Sequence, residues 1–457
     1  MSIYGHLIKS ISYPLIAKVD GVIDLRKELD VLKRNEYKSK EQIRAIQLEK
    51  LKHILTHAYE NCDFYRQRFD SVNFSPAEFS SFEQLNKIPP LTKTDLQTNL
   101  STLIASNYPE NQIHKDATGG STGNHTPFYR DNLSLQIKRG YEFRFNNWAG
   151  WDIGEKIAFY WPAIQDLAGR HKSWKERLRN QLSDRSLVLF SGNQNEQILE
   201  QHYKQLTSFK PTLMRTFPNP LANFAKFLKE TGKTNIHIPS IISVGEPLLD
   251  SQRVLFEEVL GSKVYNCYVS RECGNMACEC GSNPGDLHVN AEMIYIEPLD
   301  SVDAQSQQPV KFLLTDLTNH GMPFIRYQIE DLGIFLDHDC GCGRGLPLIR
   351  MEAGRASDFL ISPFDKSRVS GCSLLHHLIA EGPNVGQIQL IQDKLDHLTI
   401  KLVKGENFDD RLLDHFNNVL NNVFKNKMHY TIDYVSEIER EKSNKYFFTK
   451  CLISKDE

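Results

Sequence analysis

The middle of the chain alternates between two kinds of apolar pattern. The stretches IPSIISV (238–244) and GSKVYNCYV (261–269) are short and rich in β-branched and aromatic residues, whereas DSQRVLFEEVL (250–260), which lies between them, has its apolar residues at helical spacing. Strands that alternate with helices form layered α/β domains, and the ligands of such domains bind at the carboxyl ends of the strands. The pattern therefore predicts an α/β domain with its site at those ends.

The length and a change of pattern divide the chain into two units. At 457 residues the chain is too long for one hydrophobic core. Beyond residue 358, VGQIQLIQDK and HLTIKLVKG are typical of paired strands, FDDRLLDHFNNVLNNVF of an amphipathic helix and HYTIDYV of another strand. We therefore expect a large multi-layer α/β domain over residues 1–357, with a helix over 41–66, and a small α+β domain over 358–457.

Charge and hydropathy exclude several classes of protein. The net charge is −3, which gives no general attraction to nucleic acid or to an anionic membrane. No stretch approaches ~20 uncharged apolar residues, so we expect no membrane span. The first residues, MSIYGHLIKSISYPLIAKVDG, have no signal-peptide core because Lys9 and Pro14 interrupt them. A first structural segment is favoured there over an interfacial helix, and we expect a cytoplasmic protein.

The nine cysteines are clustered. Seven of them lie between residues 267 and 372, and four of those form two C-x-C pairs. A secreted disulfide framework is typical of smaller chains with an even count. The clustering therefore favours thiolates that are kept reduced for a metal.

Residues 116–131 read DATGGSTGNHTPFYRD, in which positions 118–123 are three glycines and three hydroxyl side chains. Glycines allow the backbone to curl so that successive N–H groups point inward and bind an anion, and the hydroxyls add donors. A phosphate chain is the natural ligand, although an ordinary turn is an open alternative and no Lys follows the glycines as it does in a P-loop.

Five further motifs follow in order: SVGEP (243–247), YVSRE (268–272), TDLTNHGMPFIRYQIEDLG (315–333), CGCGRGLPLIRMEAGRASD (340–358) and EREKSNK (439–445). The segment LKHILTHAYENCDFYRQRF near the start belongs with these motifs. On all of them together, the chain resembles the adenylate-forming superfamily over nearly its whole length. In particular it resembles the phenylacetate–coenzyme A ligases and their capsule-biosynthesis relatives. The resemblance implies a large ATP- and carboxylate-binding domain followed by a small mobile lid domain.

The resemblance also implies a reaction. A carboxylate attacks the α-phosphate of ATP, with Mg²⁺ as cofactor, and pyrophosphate leaves behind an acyl-adenylate. A thiolate of coenzyme A or of a carrier protein then displaces AMP. Transfer to an amine or a hydroxyl, and a non-catalytic nucleotide-binding relative in a biosynthetic complex, are the alternatives. The identity of the carboxylic acid is not encoded in these motifs, and the oligomeric state is left open, a homodimer included.

The nucleotide-binding residues implied by the resemblance fall into five groups. The glycine-rich loop would hold the β- and γ-phosphates, the loop after 244 would wall the adenine, Tyr268 would stack on it, and Asp331 would accept hydrogen bonds from the ribose hydroxyls, with Arg326 bracing the site. The full set is Thr118, Gly119, Gly120, Ser121, Thr122, Gly123, Gly245, Glu246, Pro247, Tyr268, Arg326 and Asp331. Core packing for Tyr268 and a turn cap for Asp331 are the alternatives.

The catalytic residues implied by the resemblance are Glu272 near Mg²⁺, Arg355 near the ribose and phosphate, and Lys445, which would neutralise charge on the α-phosphate. Asp358 would mark the hinge. Ion pairs or a solvated basic surface are the alternatives for these residues. The sequence departs from the family pattern in two places, Asn124–His125 after the glycine-rich loop and Val269 within YVSRE.

A zinc site is also implied. Cys280, His288, Cys340 and Cys342 match a metal site of many family members and make a Cys₃His set, which suits a closed tetrahedral Zn²⁺ with a structural role. Cys278 is the first substitute for Cys280, followed by Cys273. Buried free thiols are the alternative. Trp148, Trp151 and Trp161 are candidates for an acyl pocket, although core packing is favoured for them.

Overall fold

The computed structural model of the chain describes residues 2–117, 126–162, 173–192, 194–299, 308–355, 359–366, 368–371, 374–375, 378, 385–405, 408, 411–438 and 449–453. It confirms the predicted α/β fold. The helices are α1 (Ile3–Leu7), α2 (Tyr13–Val19), α3 (Leu25–Asn35), α4 (Lys40–Asn61), α5 (Asp63–Ser71), α6 (Lys93–Thr98), α7 (Leu100–Leu103), α8 (Asn132–Trp148), α9 (Trp174–Leu182), α10 (Glu196–Phe209), α11 (Pro218–Glu230), α12 (Asp250–Leu260) and α13 (Arg411–Phe424). A π-helical turn, Ile8–Ser12, joins α1 to α2.

The strands are β1 (Ile113–Ala117), β2 (Pro127–Asp131), β3 (Ile157–Trp161), β4 (Ser186–Phe190), β5 (Leu213–Thr216), β6 (Ser240–Val244), β7 (Lys263–Ser270), β8 (Gly274–Glu279), β9 (Leu287–Val289), β10 (Ile294–Pro298), β11 (Val310–Asp316), β12 (Tyr327–Leu336), β13 (Leu348–Arg355), β14 (Phe359–Ile361), β15 (Arg368–Ser370), β16 (Val385–Lys394), β17 (His397–Lys404), β18 (His429–Tyr434) and β19 (Thr449–Cys451).

One large sheet organises the chain up to residue 355. Its eleven described strands run in the order β10-β11-β12-β13-β9-β8-β7-β6-β5-β3-β4. Strands β3 to β7 pair in parallel, and the remaining neighbours pair antiparallel. The parallel half is the βαβ arrangement that the alternating pattern predicts, because α11 and α12 connect β5 to β6 and β6 to β7.

The helix predicted over 41–66 is two helices. A capping box formed by Ser39 and Gln42 starts α4, whose buried face includes Leu51 and Leu55. The chain leaves helical geometry at Cys62, with φ −121° and ψ 113°, before α5 begins. The Cys62 side chain is buried in the core of the large domain. Apolar spacing continues across this break, so periodicity alone does not reveal it.

The residues beyond 358 form a separate core. Strands β18-β17-β16-β19 make a four-stranded sheet and β14 pairs with β15. Their buried side chains pack with α13 in a cluster drawn wholly from residues 360–428, including Leu390, Ile400 and Phe416. The order β16-β17-α13-β18 is the predicted β-β-α-β arrangement. The predicted boundary at 357/358 falls on residues outside the described ranges and stays a prediction.

The last strand of the large sheet ends beside a candidate site residue. Arg355, the final residue of β13, lies directly opposite Asp331 of β12 in their antiparallel pairing. Because directly opposed residues have Cα atoms roughly 4.5–5.5 Å apart, the connection to the small domain leaves the sheet next to Asp331.

Within the described ranges, none of the helices combines the length and the apolar character needed to cross a bilayer.

Candidate active site

Tyr268 and Asp331 meet although their strands lie far apart in the sheet. The Tyr268 hydroxyl donates a 2.7 Å hydrogen bond to Asp331 Oδ2. Strand β7 lies four places from β12, which in a flat sheet is about 19 Å. The sheet must therefore curve, and it has a register shift beside each residue, between Tyr268 and Val269 and between Asp331 and Gly333.

The Tyr268 side chain is buried at the carboxyl end of β7, among the residues of the large core. Burial, and then the nearby Asp331 carboxylate, raise the pKa of the Tyr268 phenol well above its usual value. The phenol therefore remains protonated and keeps donating to Asp331. A carboxylate has about four acceptor positions, so this bond is compatible with further hydrogen bonds to a ligand diol.

Glu272 lies in the turn between β7 and β8 and is buried. The Tyr327 hydroxyl lies 3.4 Å from Glu272 Oε1. The backbone carbonyl of Glu272 accepts a hydrogen bond of 3.2 Å from Lys138 Nζ, which also lies 2.5 Å from Asp316 Oδ2. This buried network holds the turn against α8 and the end of β11.

The base of the glycine-rich loop lies near the same turn. The loop residues Thr118–Gly123, and Asn124 and His125 after them, are outside the described residues. Strands β1 and β2 flank them, with Ala117 opposite Pro127. Asp116 at the base of this hairpin pairs with Arg130, and its Oδ1 lies 3.7 Å from Arg271 Nη1. Because Arg271 precedes Glu272, the hairpin is anchored to the segment that follows Tyr268.

The loop after β6 lies at the neighbouring strand end. Gly245 has φ +77°, a conformation that favours glycine, and a Cβ there would lie 2.4 Å from the Phe217 ring. Glu246 Oε2 accepts a 3.4 Å hydrogen bond from the Asn219 backbone, and Pro247 follows it. The loop is thereby held across the ends of β5 and β6, beside the end of β7.

Two of the three tryptophan candidates lie away from these strand ends. Trp151 is in the core, and Trp148 packs edge-on against His288 and donates to Glu36. Trp161, the last residue of β3, contacts the Phe217 ring edge-on with ring centroids 4.9 Å apart. An aromatic wall therefore lies at the ends of β3 and β5.

Arg326 does not project a donor toward a nucleotide. Its Nε lies 2.9 Å from Glu297 Oε1, its Nη1 donates to the Ile88 carbonyl and its Nη2 to Asn86 Oδ1. All three guanidinium nitrogens thus have partners within the protein, and the side chain is buried. The bracing role agrees with these contacts, whereas direct contact with a cofactor does not.

For three further predicted residues the structure describes the backbone at most. Lys445 and Asp358 lie outside the described residues. Arg355 is described only through its backbone pairing with Asp331.

Lys138 is a site residue that the sequence reasoning missed. It lies on the buried face of α8 with Ser134, Tyr141 and Phe145, at spacings of four, three and four residues. A lysine on the apolar face of a helix is almost never fully buried unless it is paired. The position of Lys138 on the apolar face of a predicted helix could therefore have indicated a buried, paired lysine.

The predicted metal ligands converge. One ligand atom from each of Cys280, His288, Cys340 and Cys342 lies within 4.8 Å of all the others. The Cys280 and Cys340 sulfurs are 3.5 Å apart, and Cys342 Sγ is 3.2 Å from His288 Nε2. Cys273 and Cys278 are not part of this group and lie in hydrophobic core clusters.

The geometry of the cluster fits a metal. His288 is fully buried on β9, between β8 and β13, and its Nδ1 lies 3.4 Å from the Leu346 carbonyl while Nε2 faces Cys342. A metal-binding histidine usually donates its other ring N–H to such a carbonyl. Burial opposes ionisation of Cys280, but hydrogen bonds from His288, the Ser282 backbone and Cys340 together outweigh it, and the pKa of this thiol is lowered.

Contacts around the cluster tie it to the N-terminal helices. Arg344 pairs with Glu36 at 3.3 Å and stacks over Trp148, with its guanidinium 4.5 Å from the ring centre. Gly345 lies so close to Lys38 that an added Cβ would lie 1.9 Å from its carbonyl oxygen. The cluster therefore joins β8, β9 and the start of β13 to the end of α3.

Comparisons with known proteins agree with this fold. The family described as the CapK C-terminal domain matches residues 360–451. Phenylacetate-coenzyme A ligase of Pseudomonas putida is 26% identical over 335 residues, which are 71% of this chain and 73% of that protein. Protein CapK of Staphylococcus aureus is 22% identical over 370 residues, 80% of this chain and 79% of that protein.

A solved structure gives the same result. The structure of 2-hydroxyisobutyryl-CoA ligase in the postadenylation state, in complex with 2-HIB-AMP, matches with a TM-score of 0.74 at 18% identity and covers 93% of this chain and 92% of that chain. At this identity the match concerns the fold alone. The resemblance inferred from the motifs is confirmed: the chain is a relative of the phenylacetate–coenzyme A ligases and of CapK, and it has the fold of adenylate-forming ligases.

Proposed function

We propose that the chain is an AMP-forming acid–thiol ligase. A carboxylate oxygen attacks the α-phosphorus of ATP, the bond to the bridging oxygen of pyrophosphate breaks, and an acyl-adenylate forms. The thiolate of coenzyme A then attacks the acyl carbon and AMP leaves. The observation that carries the proposal is the hydrogen bond between Tyr268, near the carboxyl end of β7, and Asp331 of β12, in a chain whose curated relatives include phenylacetate-coenzyme A ligases.

The nucleotide would bind across the curved part of the sheet. Asp331 accepts hydrogen bonds from the ribose hydroxyls while its Oδ2 also accepts the Tyr268 hydroxyl. The Tyr268 ring and the Gly245–Glu246–Pro247 loop border the adenine. The phosphates extend toward Thr118–Gly123, because Asp116 and Arg271 anchor the loop's hairpin beside Glu272.

The reacting phosphate would be surrounded by charge of both signs. Glu272, a carboxylate, is suited to hold Mg²⁺, which prefers oxygen ligands and bridges them to phosphates. Arg355 and Lys445 supply the cations that stabilise negative charge as it grows on the α-phosphate. The acid would lie near Phe217 and Trp161, where the aromatic wall favours an apolar or aromatic tail.

Zn²⁺ would occupy the Cys280–His288–Cys340–Cys342 cluster. Four protein ligands close a tetrahedral site, so the metal has no open position for substrate and its role is structural. It would hold the start of β13, the strand that ends beside Asp331, against β8 and β9.

The test of the function is carboxylate-dependent exchange of labelled pyrophosphate into ATP, run with a panel of aryl and aliphatic acids. We expect exchange with at least one acid, and a drop of about a hundredfold or more in Lys445→Ala. Lys442→Ala, in the same EREKSNK motif, is the matched control and should keep the exchange rate.

The acceptor is identified in the second half-reaction. Single-turnover reactions with coenzyme A, a carrier-protein thiol, hydroxylamine or amines separate thioester from amide formation. ATP binding without exchange on any acid would contradict the ligase and favour a nucleotide-binding relative without catalysis.

A further inference from the structure

The N-terminal helices have an apolar stripe that the ligase reaction does not use. Ile3, Leu7, Ile11, Leu15 and Val19 recur every four residues along α1, the π-helical turn and α2. All five are exposed, Ile3 to 86% and Val19 to 85%. Side chains four residues apart lie on one side of a helix, so these residues form a continuous ridge.

The π-helical turn keeps that ridge together. In a regular α-helix of 3.6 residues per turn, a four-residue spacing drifts around the axis. The turn Ile8–Ser12, with its wider hydrogen-bond spacing, rotates less per residue and so counteracts the drift between Leu7 and Ile11.

The opposite side of the same helices is also apolar and is already buried. Ile8 and Tyr13 pack with Leu25, Leu29 and Phe143 in a hydrophobic cluster of the large domain. A surface helix of a globular protein usually has one apolar side, which packs on the core, and these helices have a second one. The exposed ridge therefore calls for a partner.

Helix α9 extends the apolar surface. The Tyr4 hydroxyl donates to the Gln181 carbonyl at 3.2 Å, and Ser12 Oγ donates to the Leu182 carbonyl at 2.6 Å, so α9 lies against α1 and α2. Its Trp174 is 71% exposed, and Leu178 is also exposed. We call the ridge residues Ile3, Leu7, Ile11, Leu15 and Val19, with Trp174 and Leu178, the N-terminal apolar surface.

The charges next to this surface are mostly positive. Residues 2–19 and 173–182 together contain Lys9, Lys18, Lys175, Arg177 and Arg179 against one acidic residue, Glu176. Lys9 pairs with Asp152, Arg179 with Asp20 and Arg26 with Asp24, so the excess of positive charge over Glu176 comes from Lys18, Lys175 and Arg177. The chain as a whole is slightly acidic, so this basic border is a local feature.

We propose that the N-terminal apolar surface docks this chain on an anionic phospholipid bilayer, with the helices lying in the plane of the interface. Apolar ridges with an exposed tryptophan and bordering lysines are typical of helices that bind at the headgroup boundary. The long lysine side chains reach the headgroups while their stems lie along apolar surface.

Charge argues against a second copy of the chain as the partner. In a two-fold symmetric contact the same patch meets itself, so Lys18 and Lys175 of both copies would be brought into one interface. Residues 2–19 contain no acidic side chain to pair with them. An anionic bilayer supplies the missing counter-charge.

The test is flotation of the full-length chain with vesicles of phosphatidylcholine alone or mixed with an equal part of phosphatidylglycerol. We expect binding to the anionic vesicles that weakens with salt. Ile11→Glu combined with Leu15→Glu should reduce that binding more than about tenfold. Val254→Glu is the matched control, because Val254 is exposed to 50% on α12 and Leu15 to 58% on α2.

A second pair of variants keeps the result interpretable. Ile11→Ser with Leu15→Ser removes the apolar contacts without adding charge. Lys18→Glu with Lys175→Glu removes only the electrostatic attraction to the anionic lipid. Both double variants should bind the vesicles more weakly, with an unchanged midpoint of unfolding. Absence of flotation at low salt, or equal flotation of the wild type and the Ile11/Leu15 variants, would overturn the proposal. If light scattering showed those variants converting a dimer into a monomer, the partner would instead be a second copy.

Discussion

The Tyr268 hydroxyl lies 2.7 Å from Asp331 Oδ2, and this bond joins the parallel half of the large sheet to its antiparallel half. It fixes the direction of a carboxylate and of an aromatic ring at once. If Asp331 holds the ribose and Tyr268 borders the adenine, the bond also fixes their relative position for the nucleotide.

Tyr268→Phe should therefore weaken the use of ATP without unfolding the protein. The substitution keeps the ring and removes a hydrogen bond to a charged group, which contributes about 1.5–3 kcal/mol. We expect the ATP concentration for half-maximal pyrophosphate exchange to rise roughly tenfold or more. Tyr59→Phe, which removes an exposed tyrosine–aspartate bond to Asp70, is the control and should behave as wild type. An unchanged ATP dependence in Tyr268→Phe would contradict the assignment.

Lys138→Met should strongly destabilise the large domain. The change leaves the buried Asp316 carboxylate without its ion-pair partner, and breaking a buried pair typically costs about 3–5 kcal/mol. Denaturant unfolding followed by circular dichroism measures the loss. Lys229→Met breaks an exposed pair with Glu258 and should cost about 1 kcal/mol or less. Equal losses in the two variants would show that the Lys138–Asp316 pair contributes nothing special.

Cys342→Ser should remove the bound metal. We expect elemental analysis of the wild type to give one zinc per chain, and cobalt substitution to give the absorption of a tetrahedral thiolate site. The variant should lose the metal and about 3 kcal/mol or more of stability, because loss of a structural metal is among the largest single-residue effects. Cys451→Ser, at a half-buried thiol in the small domain, is the control and should retain the metal. A wild type purified from zinc-containing medium without zinc would refute the site.

Stability should fall as the pH is lowered from 7 toward 5. Burial is the main cause that lowers the pKa of His57 and of His320, so in the folded state each binds its proton at a lower pH than in the unfolded state. Below the unfolded value of about 6.5 the unfolded chain therefore binds more protons, and acid favours unfolding. The free energy of unfolding, measured at a series of pH values, should have a positive slope there.

Replacing both histidines tests that slope. His57→Gln with His320→Gln should flatten the pH dependence between 5 and 7 but not abolish it, because burial also lowers the pKa of His202. His429→Gln, at an exposed position of the small domain, should leave the profile unchanged. A wild-type profile that is flat across this range would contradict the prediction.

Local patterns predicted the fold well where neighbours in sequence decide it. The strand over 238–244 and the helix over 250–260 are observed as β6 and α12, and the small domain has the predicted order of elements. The break of α4 at Cys62 was missed because apolar spacing continues into α5. Periodicity reports which side of an element is buried, and it does not report a change of direction.

The site was predictable through its motifs rather than through its geometry. The four metal-cluster residues come together as expected because their motif fixes both the ligand types and their positions. The contact between Tyr268 and Asp331 depends on the curvature of the whole sheet, which no local stretch encodes. Arg326 was grouped with the nucleotide-binding residues by motif, yet its guanidinium is held by Glu297, the Ile88 carbonyl and the Asn86 side chain.

The opposition of Asp331 and Arg355 has a mechanical consequence. A swing of the small domain about the end of β13 would pull on the strand that directly neighbours the carboxylate assigned to the sugar. The pivot and the sugar site would then share strands β12 and β13. A movement at one of them would therefore change the geometry of the other directly. Slower amide hydrogen exchange at residues 351–355 on addition of ATP would be direct evidence of this coupling.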